Sequence, residues 1–245
     1  RDLESDLRER FGSIQEYKQR LTADWQAARD AGRTAEALES WVEAQFTQSA
    51  VAWVLACVFV RFCEDNDLLE APLIAGTDSH GRSAVARQEA FYLQHPTASD
   101  NDYLRDVFAV ASRLPGLSDV LKVQQNLLSA PVSADMGKQL VRFFRATDAD
   151  SGGLVHDFAD PEWNTRFLGD LYQDLSEAAR ERYALLQTPE FVESFILDRT
   201  LTPALDIYTL EEVDLIDPTC GSGHFLLGAF ERLAPRWLRK LPGNV

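Results

Sequence analysis

The sequence predicts a mainly α protein in which an N-terminal helical bundle leads into the first strand–loop–helix unit of an α/β domain. Three observations carry that prediction. Apolar residues recur at three- and four-residue steps through most of the stretch from Leu3 to Ala146. A polar, glycine-containing stretch, Thr147 to Gly153, then breaks the periodicity. Finally, Val213 to Leu227, VDLIDPTCGSGHFLL, reads as an apolar run, a tight glycine turn and a new helical face. The expected domains are residues 1–150, helical, and residues 151–245, the opening of the α/β domain.

The first helix is expected to run unbroken beneath Leu3, Leu7, Phe11, Ile14, Tyr17 and Leu21, which share one face. Gly32-Arg33 turns the chain, and Thr34 has the side chain of an N-cap for a long helix through Trp41, Phe46, Val51, Leu55, Phe59 and Phe62. Between Ala50 and Phe62 that helix is apolar almost all round, which places it at the centre of the bundle. Leu73 to Gly81 reads as loop. Helices follow at Ser83 to Gln94, Asp100 to Arg113, Leu117 to Leu128 and Ala134 to Arg145, separated by Pro96, Pro115-Gly116 and Pro131.

Composition excludes several classes. A chain of 245 residues that is 45% hydrophobic is long enough for a full core. Its three cysteines, Cys57, Cys63 and Cys220, form no CxxC pair and no Cys/His ligand spacing, so neither a disulfide framework nor a metal site is expected. Cys57 and Cys63 read as small core residues, and a cytoplasmic setting is the expectation. The longest apolar run, Ala50 to Val60, is too short to span a bilayer and is flanked by Arg61 and Glu64, so no membrane partner is expected. Asp148 and Asp150 resemble the start of a calcium loop, but the twelfth position holds Ala159 rather than Glu. His80, His95 and His156 lie in or beside loops and read as solvated or locally hydrogen-bonded. A net charge of −15 is wrong for the main grip on nucleic acid, because cations on phosphate dominate that binding. It suits solubility or a surface that meets a protein partner.

The segment that points to chemistry is Val213 to Leu227. Val213, Leu215 and Ile216 suit a strand buried on both faces, and Pro218 marks its carboxyl end. Gly221 and Gly223 tolerate positive φ and let a ligand approach the backbone. The helix that follows aims unpaired N–H groups back at the loop. The third glycine of GxGxxG is missing, and no lysine follows as in a P-loop.

Asp217 to Leu226, DPTCGSGHFL, resembles the DPxCGSGxFL form of motif I in the N6-adenine DNA methyltransferases. Upstream, Phe167 to Tyr172 resembles the LGxxYE run of that family, with Gln173 in place of the acid. Thr188 to Val192, TPEFV, resembles its YTPxxV motif X, with Gln187 in place of tyrosine. Capping alone also accounts for Thr188 as N-cap and Pro189 as a first-turn residue of a helix through Phe195 and Ile196. The order, motif X about thirty residues before motif I, is the one found in type I modification subunits, fused restriction-modification enzymes and phage-exclusion methyltransferases of the Pgl/BREX kind. The wording from Asp217 to Lys240 is most similar to the last.

The resemblance implies a Rossmann-like methyltransferase domain and S-adenosylmethionine as cofactor. It implies cofactor contacts at Thr188, Pro189, Asp217, Pro218, Thr219, Cys220, Gly221, Ser222, Gly223 and Phe225. It also implies double-stranded DNA as substrate and protein partners of a defence system, met by the acidic helical part. The family's catalytic tetrapeptide, (N/D/S)PP(Y/F), does not occur, so no catalytic residue is assigned. Because Arg1 is not a methionine and Leu241 to Val245 follow the strand–loop–helix unit directly, a fragment of a longer protein is expected, inactive by itself. A protein-interaction module with a vestigial loop, and a methyltransferase acting on RNA or protein glutamine, remain open.

Overall fold

The computed structural model describes residues 1–77, 81–114, 117–118, 121–122, 124–160, 188–220 and 223–240. The chain divides into two compact units, Arg1–Asn164 and Thr165–Val245.

The first unit is helical. In order it contains α1 (Asp2–Ser13), α2 (Gln15–Asp30), α3 (Leu38–Asp65), α4 (Ala84–Gln94), α5 (Asp100–Ala111), α6 (Gln125–Leu128) and α7 (Ala134–Phe144). The single first helix expected from the sequence is in fact two. Ile14 adopts φ −102° and ψ 104°, and Ser13 Oγ turns back to donate to the Glu9 carbonyl at 2.9 Å. Gly12 and Ser13 are poor helix formers, so the break costs little there. α3 also begins later than expected, at Leu38 with Ala37 as N-cap, because Thr34 Oγ1 accepts instead from the Glu36 N–H in a local turn. Ser83 and Ser133 cap α4 and α7, accepting from the Val85 and Met136 amides at 3.1 Å. Ser99 and Asp102 form a reciprocal capping box at the head of α5. Of the expected helix from Leu117 to Leu128, residues 119, 120 and 123 lie outside the described set.

α3 is the axis of this unit: Phe46, Trp53, Cys57 and Val60 are all buried, and α1, α2, α5 and α6 pack around it. α3 is long and apolar enough to cross a membrane by composition, but 78% of its most apolar stretch is buried inside the protein. Its apolarity is therefore used in packing. Burial pushes the Cys57 thiol far up and the Cys63 thiol to about 11, as suits inert core residues.

At the end of α3 the charges Arg61 and Glu64 turn inward. Arg61 is 1% exposed and bonds Glu64 at 2.6 Å and Asp65 at 2.7 Å. Glu64 accepts from the backbone N–H groups of Leu73 and Ile74, which ties the loop after α3 to the core. Tyr103 Oη and Arg145 reach the same loop, donating to the carbonyls of Leu73 and Ile74 at 2.5 and 2.6 Å. Asp65 and Asn66 hold the segment that leaves the bundle, accepting from Phe158 N and Asp160 N at 2.9 and 2.7 Å. The polar stretch Thr147–Gly153 lies inside this first unit. There Asp148 Oδ1 accepts from Asp150 N and Ser151 N, closing a turn and holding its carboxyl below the usual range.

The second unit contains α8 (Glu190–Arg199), α9 (Leu201–Ile207) and α10 (His224–Lys240). α8 packs on α9 and on α10, and Leu197, Leu201 and Ala229 form its small core, joined by Leu205, Val213, Phe225 and Leu233. The strand expected at Val213 to Ile216 is not formed among the described residues. The segment is irregular and unpaired, with Ile216 87% exposed rather than buried on both faces. A strand exists only when a neighbour supplies a ladder, and none of the described residues does so. The only bridges among them are isolated ones in the first unit, Thr77 with Ser83 and Thr147 with Leu154.

Candidate functional site

The second unit holds an open groove of about 480 Å³. One wall is a helical stripe at four-residue steps, Ile196, Thr200 and Ala204, with Leu197 and Leu201 beside it. The other is the irregular segment Val213–Asp217, and Phe225 from the first turn of α10 closes one side. The lining is mainly apolar, with two carboxylates, Asp214 and Asp217.

Asp217 is the polar feature of most consequence. Its Oδ1 accepts from the Thr219 N–H at 3.2 Å, whereas Oδ2 is enclosed and has no hydrogen-bond partner. An enclosed carboxylate oxygen without a donor loses hydration and gains nothing in exchange. Asp217 also lines the groove, so its carboxylate borders any donor or cation bound there. The groove is thus suited to a molecule that combines apolar surface with positive charge.

The turn before α10 is tight. Gly223 N donates to the Cys220 carbonyl at 2.7 Å, and Gly223 O accepts from Leu227 N at 2.9 Å. Gly223 has φ +83°, a conformation that favours glycine, and open space where a Cβ would stand. Gly221 and Ser222 lie outside the described residues.

The structure brings Asp217 and Phe225 to one groove and leaves Pro218, Thr219 and Cys220 exposed beyond its lining. Thr188 and Pro189 stand at the head of α8, while the groove touches α8 near its other end, at Ile196 and Leu197. The capping expected there is displaced by one residue. Pro189, with ψ 141°, is the N-cap, Glu190 is the first helical residue, and no side chain caps the turn. Proline's missing N–H costs nothing at that position, but it offers no side-chain oxygen to the first-turn amides. The resembling segments Phe167 to Tyr172, Gln173 and Gln187 lie outside the described residues.

Sequence reasoning missed the wall formed by Ile196, Leu197, Thr200, Leu201 and Ala204. Its four-residue step was a readable signal. It also missed Glu193, a carboxylate 1% exposed at the contact between α8 and α10.

No family model and no solved structure matches the chain. Among curated proteins, it is 48% identical over 255 aligned residues to the adenine-specific methyltransferase PglX of Streptomyces coelicolor. That similarity takes in 99% of this chain but 21% of the relative, so the chain spans about a fifth of the length of the protein it matches. Together with the DPTCGSGHFL and TPEFV segments, this makes the chain similar, along nearly its whole length, to one part of an adenine-specific methyltransferase.

Proposed function

We propose that the chain is the cofactor-binding opening of an adenine-N6 DNA methyltransferase of a restriction-modification or phage-defence system, preceded by a helical domain. The observation that carries this reading is the convergence of Asp217 and Phe225, two residues of the motif I resemblance, on one apolar groove with an unsatisfied carboxylate oxygen. S-adenosylmethionine has the required chemistry, an adenine ring with apolar faces joined to a sulfonium and an ammonium group. When bound it supplies an activated methyl group for transfer to an exocyclic amine. Asp217 would accept from the ammonium end, Phe225 and the α8–α9 stripe would cover apolar surface, and Gly223 would leave room for backbone approach. Thr188, Pro189, Pro218, Thr219, Cys220, Gly221 and Ser222 complete the proposed contacts.

Exposed apolar groups at Leu215 and Ile216 support reading this segment as the first strand of a Rossmann-like sheet whose neighbours lie elsewhere in the whole protein. The substrate would be double-stranded DNA, gripped mainly by other regions, since this chain carries a net charge of −15. Protein partners would meet the helical domain, and the setting would be cytoplasmic.

Equilibrium dialysis of radiolabelled S-adenosylmethionine with the full-length protein tests the reading. Binding by the wild type and its loss in Gly221→Ala, with partner binding intact, are expected; equal binding by both contradicts it. The chain alone should transfer no radiolabelled methyl to DNA above background.

A further inference from the structure

We infer that Glu193 and Gly228 form a positioning contact that sets the width of the groove; the inference rests on the cofactor reading above. Glu193 lies on α8 one turn before Leu197, and Gly228 lies on α10 just past Phe225, so this pair joins two of the helices that line the groove. The contact is close. A Cβ added at Gly228 would overlap Glu193 Oε1 and stand 3.0 Å from Glu193 Cδ and from Leu197 Cδ1.

Both residues are buried, Glu193 to 1% exposure, so the carboxylate has no open solvent to swing into. Burying an acid is costly, and an aliphatic residue would fill a helix–helix contact more cheaply. Leu197 belongs to both the small core and the groove wall. Any displacement at Gly228 is therefore passed to the wall, because packed helices shift as units. Only glycine lets α10 approach this closely, and the approach fixes how far Phe225 and the turn at Gly223 stand from Ile196 and Leu197. Glu193 and Gly228 touch no groove contents, so their effect is on geometry.

The test is S-adenosylmethionine binding by calorimetry on the full-length protein, beside its melting temperature and, in the methyltransferase assay, KM for the cofactor against kcat. Gly228→Ala should weaken binding by about tenfold, raise the cofactor KM by the same factor and leave kcat unchanged at saturation. Adding Glu193→Ala to Gly228→Ala makes room for the new methyl and should recover most of that loss. A Gly228→Ala protein that binds like the wild type, or a double variant no better than the single, overturns the inference. Should Gly228→Ala fail to fold, Glu193→Gln, which keeps the shape, should bind within about threefold of wild type while Glu193→Ala loses about tenfold. Equal affinities of those two overturn it. Absence of binding by the wild type instead defeats the cofactor reading itself.

Discussion

The two units spend their apolar and charged residues differently. In the first, the most apolar helix is enclosed by its neighbours, and the charges at its end, Arg61, Glu64 and Asp65, pair with one another and with the flanking backbone. In the second, large apolar side chains stand in solvent, among them Phe191, Phe195, Ile207, Ile216 and Phe230, and the core is small. A helical unit that encloses its most apolar helix in this way has the character of an independent domain. An apolar surface of the second kind is usually one that another element or molecule covers. The comparison locates stability in the bundle and, under the proposed reading, ligand chemistry in the groove.

Removing Arg61 is the severest test of the bundle. Arg61→Ala leaves Glu64 buried beside Asp65 without a counter-ion and should cost about 3–5 kcal/mol, read as a lower midpoint in urea by helical circular dichroism. A change under about 1 kcal/mol would mean that the hub is dispensable. Gly137→Ala comes next. Its Cβ would stand 2.8 Å from the Cα of Asn101, where α7 meets the head of α5, so overpacking of about 1–3 kcal/mol is expected in the same experiment.

How far these features were legible follows from the range of each interaction. The heads of α4 and α7 fall within one residue of the starts that the proline and glycine punctuation implied, and a serine cap acting on an amide two or three residues away fixes each. The break at Ile14 was not, because the apolar stripe runs straight through it while the weakness lies in Gly12 and Ser13. Arg61 and Glu64 looked like solvated flanks of an apolar run. Only the return of the loop at Leu73 and Ile74 turns them into a buried network. In the groove, Asp217 and Phe225 were legible through their motif, and the α8–α9 wall through its unused period. The Glu193–Gly228 contact joins residues 35 positions apart, for which no local pattern exists. The strand at Val213 was read from composition, which speaks to burial; pairing depends on a partner elsewhere.

Two smaller effects sharpen the contrast. Ser99→Ala removes the capping box of α5 and should cost about 1 kcal/mol at neutral pH. Hydrogen bonds from Ser99 hold the Asp102 carboxyl below its ordinary value of 3.8. A depressed folded value means that this contribution is present above pH 3.8 and is lost as pH falls through the lowered value. The stability difference between wild type and Ser99→Ala should therefore narrow in acid; a difference that widens there contradicts the assignment. Phe230→Ser, at a side chain 67% exposed, should change stability by no more than about 0.5 kcal/mol, in contrast to Arg61. A large loss of stability would show that the exposed face is part of a core.

The most direct measurement is titration of S-adenosylmethionine into the full-length protein and its Asp217→Asn variant. The account predicts binding by the wild type, weakened about tenfold or more in the variant at an unchanged melting temperature, because the charge facing the groove is gone and its shape is kept. Equal affinity in the two proteins would contradict it.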